Sequence, residues 1–396
     1  MRLTLPAAVA ALVLLSGMGR ARPLEAQTRP AVPDRRLSQP EARYPEPFSM
    51  IGGIRELADG RVMVSDPIEE ALVVLNLATG QSSPVGRVGQ GPGEYKSPDR
   101  LFAMPDGATL LTDLGNGRLS VFGPDGRHRE SFPIVVGGAP GGPGGGRPVF
   151  LLASHVDAQG RLYFQQPAGG GGPRPADSAA VLRYDRRTSR IDTVAFVKVA
   201  PPIERVSGTE NNRNVQMSPP TYPRQDAWAV APDGRLAIVR AADYHVEWVG
   251  PGGRLRGQPV AFRPVPIRDG EKQEWLDRLG TGLSIAMENR NGEVTTTFSR
   301  GRRPQQGPDP DSFTWPDSKP PFSSSSALVT PEGELWVERS VAAGTGREYD
   351  TFNAQGAHTG RVLLPAGNQV IGFGRGTVYV VRRDADDLQY LERYRR

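Results

Sequence analysis

Six times along this 396-residue chain an apolar strand runs into a Gly turn and is followed by further apolar strands. The first copy reads IRELADGRVMVSD then EALVVLNLATG, between Ile54 and Gly80. The second reads LFAMPDGATLLTD then GRLSVFGPDG, between Leu101 and Gly126. Later copies read HVDAQGRLYFQQ from His155, WAVAPDGRLAIVR from Trp228, LVTPEGELWVER from Leu328 and IGFGRGTVYVVR from Ile371. One such sheet cannot bury its own faces, whereas radial stacking of copies buries a continuous core. The fold class implied is all-β, a six-bladed β-propeller of four-stranded blades.

The turns support a repeated unit. Tight strand A to strand B turns fall at Asp59-Gly60, Asp106-Gly107, Gln159-Gly160, Asp233-Gly234, Glu332-Gly333 and Arg375-Gly376, where a Gly supplies positive φ. A second Gly marks the turn between strands C and D at Gly80, Gly126, Gly253 and Gly356, at offsets of 20, 19, 19 and 23 residues. Blade 3 carries Arg186-Arg187-Thr188-Ser189 there instead. The blades fall at about 50–85, 97–136, 149–199, 226–262, 322–365 and 368–396. The last blade ends after LQYLERYRR with one strand missing. The segment 41–49, with Tyr44 and Phe48, is placed to supply it and close the ring, which protects an exposed edge. Pro45 and Pro47 fit an outermost strand.

Strand alternation puts the A–B and C–D turns on one face, and the B–C loops and blade-to-blade crossovers on the other. The long insertions all belong to the second face: residues 137–148, residues 167–176 and the crossover 263–321. That face is the one to examine for function, since binding groups concentrate on loops held by a rigid scaffold. Within 263–321, Asp269 caps a short helix over EKQEWLDRL, with Trp275, Leu276 and Leu279 at helical spacing. This helix either packs on the propeller rim or lies over the channel as a lid. The Gly-rich stretches read as flexible connections.

The first 26 residues read as a secretory signal: Arg2, an apolar run from Leu3 to Leu15, then small residues before Gln27. The mature domain expected is 27–396, working in the periplasm or outside the cell, with no membrane span after cleavage. The chain has no cysteine, so lipid attachment at a cysteine, disulfides and thiolate metal sites are excluded. The net charge of +5 falls to +3 without Arg2, Arg20, Arg22 and Glu25. No sustained basic block precedes the last residues, so nucleic acid is not an expected partner.

Residues 86–122 read GRVGQGPGEYKSPDRLFAMPDGATLLTDLGNGRLSVF. This stretch resembles the NHL repeat, through Gly86, Gly89, Gly91, Pro92, Gly93, Glu94, Tyr95, Pro98, Asp113, Asn116, Arg118, Val121 and Phe122. Blade 1 keeps Asp66 but has Pro67-Ile68-Glu69-Glu70 in place of the G-N-x-R loop. The stretch from Trp315 to Arg339 is similar to parts of exported bacterial six-bladed propellers related to NHL proteins. The resemblance implies a fold and export, and no particular reaction.

The four histidines, His128, His155, His245 and His358, lie on different blades without metal-ligand spacing. No GxSxG nucleophile elbow occurs. Asp66 and Asp113, at the ends of strand B, are suited to accept backbone N–H groups of the following turn. The polar candidates of the inner strands are Arg100, Ser154, Asp226, Ser325, Asn368 and Gln369. The leading expectation is a non-catalytic binding propeller that needs no cofactor. It would use Arg100, Arg118, Ser154, Tyr222, Asp226, Trp275, Trp315, Ser325 and Asn368 at the channel mouth to hold a protein segment, a glycan or a small molecule. Arg and aromatic side chains dominate such recognition. The alternative is a metal-dependent lactonase-type hydrolase resembling gluconolactonases, which would hold Ca²⁺ or another divalent cation in the channel. Only Asp226 among those inner-strand candidates carries a carboxylate, unless Glu56 and Glu94 turn inward. Ring closure makes a monomer the default.

Overall fold

The computed structural model describes residues 32–137, 148–166, 177–201, 203–209, 212–218, 220–279, 282–290, 293–301 and 307–396. The signal segment 1–26 and most of both Gly-rich insertions lie outside these residues. Residues 32–396 form one unit, a six-bladed β-propeller. Each of blades 1 to 5 is an antiparallel sheet of four consecutive strands, the innermost being Gly53–Glu56, Pro98–Ala103, His155–Val156, Ala227–Val230 and Phe322–Val329. Blade 6 contributes Asn368–Gly374, Thr377–Arg383 and Gln389–Arg395, and its fourth strand is Ala42–Arg43. Phe48 extends this closure through a bridge to Gln389. A second N-terminal strand, Asp34–Arg36, adds in parallel to the outer strand of blade 5. The N-terminal segment therefore ties two blades rather than one.

The near-continuous apolar runs follow from where each strand's two faces go. In Val62–Asp66, Val62 and Val64 join a core cluster with Tyr379, Val381 and Leu391 of blade 6. Met63, between them, points the other way, into a cluster with Leu101, Leu111 and Phe122 of blade 2. Successive side chains alternate across a strand. A strand packed on both sides must therefore be apolar throughout. The same division recurs around the ring, giving six clusters, one at each junction between consecutive blades. The six A–B turn glycines all have φ between 66° and 88°, a conformation that a Cβ disfavours.

The crossover 263–321 carries more regular structure than its composition suggests. Two hairpins appear that the sequence pattern does not reveal: Ile203–Thr209 with Asn212–Ser218, and Leu283–Arg290 with Glu293–Arg300. The helix α1 spans Asp269–Arg278, one residue after its N-cap Arg268. Asp269 is thus the first helical residue rather than the cap. Glu271 closes a capping box by accepting from the Arg268 N–H at 3.0 Å.

The insertion between blades 4 and 5 makes two anchorages. Near its origin, α1 docks on blade 5: Glu271 accepts from the Ala343 N–H at 2.8 Å, and Lys319, from the end of the same insertion, donates both to Glu274 at 2.7 Å and to the Val341 carbonyl of blade 5 at 3.0 Å. On the far side of the channel, Phe298 enters the core cluster of blades 2 and 3 and meets Phe150 edge-on at 6.0 Å. Arg300 grips Asp99 of blade 2 with two hydrogen bonds, of 3.0 and 3.1 Å. The helix packs at the rim, and the second hairpin carries the chain across the mouth to the opposite blades.

Candidate functional site

Between α1 and the inner part of blade 5 lies a cavity of about 480 Å³, on the loop-rich face. This is a usual size for a small-ligand site. Its floor is Ser323, Ser324 and Ser325, exposed at the start of blade 5's innermost strand. The ladder there skips from Phe322–Arg339 pairing to Ala327–Val337 pairing. That irregularity frees the serine run from the regular sheet and leaves its hydroxyls facing the opening. One wall is α1, through Glu274, Trp275, Arg278 and Leu279. The opposite wall is the B–C loop of blade 5, which includes Arg339, Val341, Ala342, Thr345 and Arg347.

Tyr222 forms a third side. Its backbone is left-handed, at φ 41°, immediately before Pro223, a conformation that costs about 1–3 kcal/mol. Its phenol donates to the Glu271 carbonyl at 2.5 Å, and Lys319 lies 5.5 Å from its ring centre. Burial, then the Glu274 carboxylate, push the phenol's pKa up, so Tyr222 stays neutral. Trp275 packs edge-on against Phe313 at 5.0 Å and Trp315 at 5.4 Å. Trp315 itself donates to the Pro310 carbonyl.

Charge in the cavity is unequal. Arg278, Lys319, Arg339 and Arg347 face two carboxylates, Glu274 and Glu338. Lys319, only 5% exposed, divides its protons between Glu274 and the Val341 carbonyl. Burial raises Glu274, but Arg278 and Lys319 outweigh it and hold the carboxyl below its usual range. Glu338 is taken by Arg347 and by the Tyr349 phenol. Arg339 is held loosely, 3.5 Å from Asp350 and 3.9 Å from Glu348. The balance among the described residues is positive, and the Arg339 guanidinium is only weakly engaged.

The candidates read from the sequence separate into groups. Tyr222, Trp275 and Ser325 come together in the cavity. Trp315 supports Trp275 from outside the lining. Arg100 and Ser154 lie on the channel wall at blades 2 and 3 and do not line this cavity. Asp226 and Asn368, placed at the mouth by the sequence reading, are 4% and 5% exposed and turn into the walls. Asp226 accepts from the Lys198 N–H, the Ala241 N–H and Arg240. Next to them, Gln225 lines the cavity and Gln369 is exposed on its strand. At blade 4 the inward register is therefore one residue away from that assigned, and at blade 6 it falls on Gln369, which the sequence reading named beside Asn368. Arg118 is consumed in the wall of blade 2, donating to Asp113, Gln90, Gly91 and Glu94.

Asp113 and Asp66 serve their turns. Asp113 accepts from the Lys96 N–H, Asn116 and Arg118. Asp66 accepts from the N–H groups of Ser49, Met50, Ile68 and Glu69. The glycines of the 86–95 stretch permit close approach: a Cβ at Gly89 would stand 2.2 Å from the Glu94 carboxylate. Glu94 turns to Gly91 and Arg87, and Glu56 to Arg375, Thr377 and Tyr379 of blade 6. Neither faces inward. Among the described residues, no three His, Asp or Glu side chains gather as a metal-holding group. No helix among those residues is long and apolar enough to cross a membrane.

The sequence reading missed Arg339, Arg347, Lys319, Glu274 and Glu338 as members of the site. A strand-B ending of Glu338-Arg339 was the available signal, since it replaces the Asp of blades 1 and 2 at the same point.

No family model matches the chain, and no curated protein matches its sequence. Solved structures similar to it include a gluconolactonase from Xanthomonas campestris, with 13% identity, covering 92% of this chain and 99% of that one, at a TM-score of 0.39. A virginiamycin B lyase from Staphylococcus aureus is 11% identical, covering 89% and 98%, at 0.39. The calcium-binding protein regucalcin from Agrobacterium tumefaciens is 12% identical, covering 92% and 97%, at 0.33.

Proposed function

We propose that this protein is a non-catalytic binding propeller, exported from the cytoplasm, that takes a small acidic, sugar-sized ligand between α1 and blade 5. The observation that carries this reading is the cavity itself. It sets the indole of Trp275 and the ring of Tyr222 beside three serine hydroxyls and four cationic side chains. Aromatic faces suit the C–H surface of a sugar ring, and serines suit its hydroxyls. The weakly held Arg339 suits a carboxylate, which a guanidinium pairs with bidentately. Export rests on the N-terminal signal pattern.

The lactonase alternative finds less support in the described residues. A hard divalent cation wants several oxygen ligands. Asp226, Glu56 and Glu94 are each committed to backbone or side-chain donors elsewhere.

Calorimetric titration of residues 27–396 with glucuronate, galacturonate, their neutral parent sugars and short peptides tests the reading. Saturable binding of an acidic sugar that is at least tenfold weaker in Trp275→Ala is expected. Lactone turnover that depends on added Ca²⁺ would instead establish the hydrolase.

A further inference from the structure

A different group on the channel wall stands outside the cavity just described. Arg100 is exposed on the innermost strand of blade 2, and among the described residues its hydrogen bond is a long contact of 3.5 Å to the Ala153 carbonyl. The carboxylate charge that acts on it is that of the preceding residue, Asp99. That carboxylate is 2% exposed and already occupied on both oxygens by Arg300, which arrives from the hairpin crossing the mouth. Among the described residues, the blade 2 side of the channel thus sets Arg100 and Arg300 beside Asp99, and the ion pair is closed without Arg100.

His155, on the neighbouring innermost strand, adds no negative charge. Its ring packs edge-on against Trp228 at 5.0 Å. Burial, the Arg100 charge and a hydrogen bond to the Trp228 backbone set its titration, with the first two pushing it down to about 3. It is therefore neutral at any physiological pH. Burial lowers the pKa of Arg100 itself, Asp99 opposing the shift and Arg300 adding to it.

We propose that Arg100 is a second, anion-binding position in the channel, taking a carboxylate or sulfate group, and that the Arg300–Asp99 ion pair keeps it available by denying it Asp99. A guanidinium with open donors in a partly desolvated channel binds an oxyanion more strongly than one in water. The insertion thereby has a role at blade 2 as well as at blade 5: by crossing the mouth it delivers Arg300 to Asp99. This inference is independent of the cavity reading.

The test uses residues 27–396 with sodium sulfate and sodium glucuronate as probes, at constant ionic strength set with chloride. Binding is followed by calorimetry and by the rise in melting temperature. All variants are made in a Trp275→Ala background, which removes a main element of the cavity and leaves the channel alone. The background protein is expected to bind at least one probe, and Arg100→Gln to weaken it tenfold or more. Arg300→Gln is expected to weaken it similarly, because Asp99 is released to pair with Arg100. Adding Asp99→Asn to Arg300→Gln is expected to restore binding. No response to either probe in the background protein, equal binding in Arg100→Gln, or failure of the double substitution to restore binding would overturn the proposal. The last comparison stands even if Arg100→Gln fails to fold.

Discussion

At the scale of single residues, the structure separates side chains that hold the propeller together from those left to meet a ligand. Asp113 is fully buried and paired with Arg118, so Asp113→Ala would strand a guanidinium among backbone carbonyls. A loss of about 3–5 kcal/mol is expected on chemical denaturation, the usual cost of breaking a buried pair from one side. His155 gives a pH signature. Its native pKa of about 3 lies below its unfolded 6.5. The unfolded chain therefore binds the proton first, and the stability present above pH 6.5 is lost as pH falls toward 3. Melting temperatures should fall between pH 7 and pH 5, where most carboxylates remain ionised, and His155→Gln should flatten that part of the curve. A wild-type profile that is level across this window would contradict the assignment.

Among elements, the helix α1 is the one whose docking forms a wall of the cavity. It is held to blade 5 by Glu271, through the Ala343 N–H, and by Lys319, which joins Glu274 to the Val341 carbonyl. Glu271→Ala should cost about 1–3 kcal/mol, the desolvation left by an unpaired buried donor. It should also increase protease cleavage within 269–279 while far-ultraviolet dichroism of the strands is unchanged. Ligand affinity should fall with it, because α1 forms one wall of the cavity. The turns and blades were legible in the sequence because Gly at positive φ and apolar runs have no other common explanation. Two things were hidden. Strands buried on both faces lose their polar alternation, so Asp226 could not be told from its inward neighbour Gln225, nor Asn368 ranked below Gln369. The hairpin Leu283–Arg290 with Glu293–Arg300 pairs only with itself, and nothing in its local pattern announces that Phe298 and Arg300 will reach blades 2 and 3.

For the whole molecule, ring closure is the dominant constraint. Residues 34–48 pair with blades 5 and 6, and Leu37 and Tyr44 are buried in the junctions beside them. Removing 32–49 leaves blade 6 with an open edge and two junctions short of side chains. Loss of a single cooperative thermal transition is expected; a melt within a few degrees of the full protein would show that closure contributes little. The closing strand was legible in the sequence because blade 6 ends one strand short. The partner strand on blade 5 was not, since its exposed Asp34-Arg35-Arg36 carries no apolar signal. The cavity as a whole was half legible: its aromatic members stand out in any reading. Its charged members, Lys319, Arg339 and Arg347, are brought together from a crossover and a loop that only the folded ring sets face to face.

The most direct test of the central claim, that the cavity between α1 and blade 5 binds an acidic sugar, is calorimetric titration of wild type and Trp275→Ala with glucuronate and glucose. The account predicts saturable binding of glucuronate by wild type, at least tenfold weaker binding in Trp275→Ala, and little response to glucose in either. Equal affinity in the two proteins, or a preference for glucose, would contradict it.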